Sequence, residues 1–81
     1  MTAQTTTRDR RARRVERSAA ESRRRNLRVS YEVLAAKTGR PRIWVWERLS
    51  EKSLVSTVMY SEVAMLRAAL DELAKEREAA R

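Results

Sequence analysis

Nineteen of the 81 residues are basic, and they are the main chemical resource of the chain. Sixteen are arginine, with Lys37, Lys52 and Lys75 the only lysines. Arginine presents a planar fork of donors that matches phosphate oxygens and the O6 and N7 edge of guanine. GC-rich coding also favours arginine, so position carries more information here than number. Eleven acids leave a formal charge of +8. Other chemistries are missing. Without Cys or His there is no disulfide, thiol nucleophile, imidazole base or zinc-ligand set. A single Gly excludes a glycine-rich phosphate loop. The carboxylates, hydroxyls and amines that remain form no pair flanked by a plausible pocket. The expectation is a binding protein and not an enzyme, with no cofactor, no metal and no small-molecule ligand.

The charge is concentrated at one end. Residues 1–28 carry ten Arg against Asp9, Glu16 and Glu21, a balance of +7; residues 29–49 carry +2 and residues 50–81 carry −1. Such an asymmetry marks a polyanion-binding end, because each base placed near a phosphate releases condensed counterions. A transit peptide is the weaker reading of this end, since it would take a third of the chain and would contain three acids. Apolar runs reach only four residues, against the roughly 20 that a membrane span requires.

The elements that would hold these bases follow from spacing. Residues 1–7 are polar and aperiodic and read as a disordered tail, leaving 8–81 as one domain. Arg8 to Asn26 lacks Gly and Pro and is rich in helix formers. Its small or apolar residues, Ala12, Val15, Ala19 and Ser22, form one narrow stripe. Ser30 is an N-cap for a helix over residues 31–38, and Gly39 is its left-handed stop. Pro41 suits the first turn of a second short helix, Arg42 to Ser50, with Val45 and Leu49 facing inward. Glu51 to Thr57 reads as a loop. Ser61, followed by Glu62, opens a long helix to about Ala80. Met59, Val63, Leu66, Leu70 and Leu73 then step by four, three, four and three, a heptad seam. The expected fold is all-α, with four helices, an Arg-rich first helix and a long C-terminal helix. A domain of this length buries only about 60% of the surface its unfolded chain exposes. The seam therefore serves either that small core or a homodimer interface through Val63, Leu66, Leu70 and Leu73.

Two short helices joined by the turn that holds the only Gly and the only Pro have the geometry of a helix-turn-helix, with its core at 30–50. Ser30-x-x-x-Leu34-Ala35-x-x-x-Gly39, followed by Arg42-x-x-Val45-x-x-x-Leu49-Ser50, resembles the Cro/repressor-type helix-turn-helix. It is closest to small repressor or Cro-like proteins of actinobacteria and their phages. The later Val63-Ala64-x-Leu66-x-x-Ala69-Leu70 is similar to the helix that follows the motif in that family. The resemblance spans about residues 15–72. It departs at Glu51, where the family usually has Gly, and at Ile43, Trp44 and Trp46, where it usually has small polar residues.

The resemblance implies a sequence-specific double-stranded DNA-binding regulator that represses by occupying an operator, in the cytoplasm of a bacterial host and associated with its nucleoid. It places base reading on Arg42, Ile43, Trp46 and Glu47. Arg42 would pair with guanine, Ile43 would touch a thymine methyl and Glu47 would accept from cytosine N4. Arg40, Arg48, Lys52, Arg23 and Arg24 would contact phosphates. Of the two Trp, Trp44 is expected to pack and Trp46 to lie exposed near DNA. The alternative is a protein–protein interaction module that binds a host or phage regulator through the Trp-bearing helix and the seam.

Overall fold

The computed structural model describes residues 7–55 and 58–80, with side chains from residue 14 onward. The expected tail lies outside the described residues except for Thr7, which already belongs to the first helix. The fold is all-α, in the order α1 (Thr7–Leu27), α2 (Tyr31–Thr38), α3 (Arg42–Leu49) and α4 (Tyr60–Ala79), with no strand among the described residues. No described helix is long and apolar enough to cross a membrane. α4 packs against all three other helices, and α3 packs against α1 and α2.

Each helix end has a local cause. α1 stops at Arg28, which takes a left-handed φ of 56°. The Arg28 N–H then donates to Arg25 O at 3.0 Å and the Val29 N–H to Arg24 O at 3.1 Å, the two bonds of a Schellman ending. Ser30 caps α2 by accepting the Val33 N–H on its Oγ at 3.1 Å, and Gly39 ends it at φ 70°. Pro41 precedes α3 as its N-cap and is not its first helical residue; its carbonyl accepts from Trp44 and Val45. An extended ψ of 148° places the proline just outside the helix, where its missing N–H costs nothing.

α4 begins earlier than the Ser61 signal suggests. Met59 is the N-cap, and the Glu62 carboxylate, three positions on, reaches back to accept the Met59 N–H at 2.9 Å. Ser61 is an exposed residue inside the first turn. The capping group is therefore the acid and not the hydroxyl, because the position three residues into a helix points its side chain back at the free N–H groups.

The core joins Ala20 of α1, Val29, Leu34 and Ala35 of α2, Val45 and Leu49 of α3, Val58, and Val63, Leu66, Ala69 and Leu70 of α4. This settles where the seam points. Val63, Leu66 and Leu70 are 2, 0 and 0% exposed within a single chain, and Leu73 packs at the core edge. A homodimer interface built on Val63, Leu66, Leu70 and Leu73 is thus corrected to intramolecular core, because the seam meets the apolar faces of the other three helices within the same chain. Met59, the first member of the seam, is exposed.

The expected stripe of α1 is also corrected. Val15 is 60% exposed, Ala19 and Ser22 face solvent, and the side chain of Ala12 lies outside the described residues. The inward face carries Ala20 and Glu21, both buried, flanked by half-buried Arg17, Arg24 and Leu27.

Candidate nucleic-acid interface

On α3 the buried pair Val45 and Leu49 fixes which side faces out. Ile43 and Glu47, four apart, take the opposite side, while Arg42 and Trp46, also four apart, take the flank next to Val45 and Leu49, with Arg42 open because it stands in the first turn. Arg42 and Ile43 are both 59% exposed, while Trp46 and Glu47 are half-buried. The four expected base-reading residues thus make one broad stripe that runs from the flank beside the core to the outer side of α3, open at Arg42 and Ile43 and half-covered at Trp46 and Glu47. The turn Gly39–Pro41, which keeps α2 and α3 in contact, also holds Arg40, exposed beside the start of the stripe. Lys52 is exposed in the loop after α3. The Arg42 Nε lies 3.8 Å from the carboxylate of Glu32 on α2, with both side chains well exposed. At that separation in water the pair leaves the guanidinium free to take another acceptor.

The flank of α3 is occupied differently. Trp44 packs on the core edge, and Trp46 is not among the residues packed there. The Arg48 guanidinium lies over the Trp44 ring at 4.1 Å, donates from Nε to Glu62 Oε2 at 2.8 Å and reaches the Trp44 carbonyl at 3.2 Å. Arg48 was expected at a phosphate; it is instead a bolt between α3 and the start of α4, with a side chain only 18% exposed. Burial alone would raise the Glu62 pKa. The Met59 N–H and Arg48 outweigh it and hold the carboxyl below its ordinary value, with a smaller contribution from Arg40.

Several arginines of α1 also turn inward. The Arg17 guanidinium donates to Glu47 O at 3.0 Å, Ser50 O at 3.1 Å and Val55 O at 3.4 Å. The last carbonyls of a helix have no intrahelical partner and carry its negative end, so a cation there satisfies both. Arg17 escaped the sequence reading. Its one signal was its place three residues before Ala20 and four before Glu21, on the face that turned out to be inward.

Arg24, expected at a phosphate, is likewise corrected. It pairs with Glu21, donates to Val29 O at 2.9 Å and lies 4.0 Å from the Tyr31 ring centre. Glu21 is 1% exposed and accepts from both Arg24 and the Tyr31 hydroxyl. A buried carboxylate persists only when it is paired and hydrogen-bonded, and this one is. Burial pushes the Tyr31 hydroxyl pKa up, and the hydrogen bond to Glu21 adds to the rise.

Arg23 stays on the surface, 2.8 Å from Asp71 of α4. Arg67 of α4 pairs with Glu16 of α1, and Lys37 of α2 with Glu72 and Glu76 of α4, so α4 holds the other helices with charges of both signs. The Glu76 bond is the main cause of a raised Lys37 pKa. Of the five expected backbone contacts, Arg40 and Lys52 remain exposed without an ion pair among the described residues, Arg23 is shared with Asp71, and Arg24 and Arg48 are committed inside. Arg14 and Arg28 add exposed bases that the sequence reading did not single out.

A shallow cleft between α1 and α4 is lined by Glu16, Tyr60, Ala64, Arg67 and Asp71. Its charged groups are all tied into ion pairs, Glu16 to Arg67 and Asp71 to Arg23. Among the described residues, the exposed bases at the helix-turn-helix are Arg42 on α3, Arg40 in the turn before it and Lys52 in the loop after it. No protein family, characterised protein or solved structure matches the chain.

Proposed function

We propose that this chain is a sequence-specific double-stranded DNA-binding regulator, a Cro-like repressor of the phage type that blocks polymerase by occupying an operator in a bacterial host. One observation carries the reading. Arg42 and Ile43 stand exposed in the first turn of a short helix joined to α2 by a three-residue turn, with Trp46 and Glu47 half-buried one turn later. A helix so mounted fits the major groove, and its first turn meets base edges. Arg42 would read guanine and Glu47 cytosine, while Arg40, Lys52, Arg14 and Arg28 would meet phosphates.

The competing reading, a protein-binding module, would rely on the Trp-bearing helix and the seam. It is disfavoured because Trp44 lies beneath Arg48, the seam lies inside the chain, and the exposed Ile43 of the same helix follows the exposed cation of Arg42. Selection of bound sites from a random duplex library at fixed salt tests the proposal. An enriched motif supports it, and two-fold symmetry in that motif would report two copies per operator. Recovery of a random pool would contradict it.

A further inference from the structure

Ile43 has no role in the chain's own packing. It is 59% exposed on a helix whose apolar needs are met by Val45 and Leu49, and it is absent from the core and its edge. Trp46, three residues on, lies beside it on the same face and is also outside that packing. The two make an apolar step on a stripe that begins with Arg42 and ends with Glu47.

In the major groove, base pairs present donors, acceptors and one apolar group, the C5 methyl of thymine. Cytosine gains the same group when it is methylated at C5. Ile43 stands about 1.5 Å further along the helix axis than Arg42 and about 100° around it, so the two side chains diverge and reach adjacent base pairs. Resting on the DNA reading above, we infer that the stripe recognises a C5 methyl on a pyrimidine next to the guanine read by Arg42. Thymine or 5-methylcytosine is then preferred at that position over uracil or cytosine. The protein distinguishes methylated from unmethylated DNA at that step. The exposed cation beside the apolar step supplies the reason a nucleic acid, and not an apolar peptide, is the occupant.

The test uses synthetic duplexes carrying the motif enriched in the library selection. Each thymine is replaced in turn by uracil, each cytosine by 5-methylcytosine and each guanine by 7-deazaguanine, which lacks the N7 acceptor. At one position beside the sensitive guanine, uracil should weaken binding about fourfold relative to thymine, the worth of one buried methyl-sized group. At the same position 5-methylcytosine should bind about fourfold more tightly than cytosine. Ile43→Ala should erase both differences while keeping the sensitivity to 7-deazaguanine; the side chain is exposed, so the fold survives the change. Equal binding of thymine and uracil at every position, with 7-deazaguanine still harmful, overturns the inference and leaves the DNA reading intact. Failure of the selection to enrich any motif overturns both.

Discussion

Arg48 and Glu62 close a salt bridge at 2.8 Å that ties the proposed reading helix to the first turn of α4, and the same carboxylate caps α4 at the Met59 N–H. One acid thus sets the start of α4, which supplies four of the buried core residues, and the position of α3 against it. Because both side chains are about four-fifths buried, the pair lies between the weak surface case and the costly buried one.

Arg48→Ala should lower stability by about 1–2 kcal/mol, read by urea unfolding. Glu62 also gives the bridge a pH dependence. Its folded pKa lies below the ordinary 4.5, so its contribution is complete above about pH 4.5 and is lost as pH falls through the folded value. Glu62→Gln should flatten the acid limb of the stability profile. An unchanged acid limb would remove Glu62 as its source.

Arg17 should matter as much to the fold as any aliphatic residue at the core edge. Arg17→Ala strips a charged donor from Glu47 O and Ser50 O, at about 1.5–3 kcal/mol for bonds of this kind. Arg17→Lys should recover only part of the loss, because one ammonium cannot reproduce the fork. Equal melting of Arg17→Ala and wild type would mean that the end of α3 is held by packing alone.

These two arginines show what a sequence reading can and cannot reach. The ends of α2 were legible because Ser30 and Gly39 act within a few residues of themselves. The outward side of α3 at Ile43 and Glu47 was legible because Val45 and Leu49, four apart, define its opposite side. Arg17, Arg24 and Arg48 were not. Arg17 finds its acceptors 30 and 33 positions away and Arg48 its acid 14 away, and composition assigns every arginine to the surface alike. The seam was visible as a repeat, yet its periodicity is the same whether the partner helix lies in the same chain or in another.

Arg28 holds a left-handed backbone that an L side chain adopts only at a cost. Arg28→Gly should therefore raise stability by about 0.5–1 kcal/mol after allowing for the freer unfolded chain, or several degrees in Tm. A lower Tm would show that the arginine side chain contributes more than its backbone strain costs.

Leu70→Glu separates core from interface. A lone carboxylate at a fully buried position is strongly unfavourable, so the far-UV helical signal should collapse. A variant that keeps its helicity and merely changes mass in sedimentation would return the seam to an intermolecular role.

The central claim is that α3 reads bases, and Arg42 tests it most directly. It stands in the first turn of α3, exposed, with only a loose contact to Glu32. Arg42→Ala should be measured against the selected site and a full set of its single-base substitutions. A bidentate contact to one guanine is worth about 1–3 kcal/mol of discrimination. The variant should therefore lose about tenfold or more on the preferred site and relax preference at one base pair only. If every duplex in the set is weakened by one common factor, Arg42 grips phosphate and α3 does not read the sequence in this register.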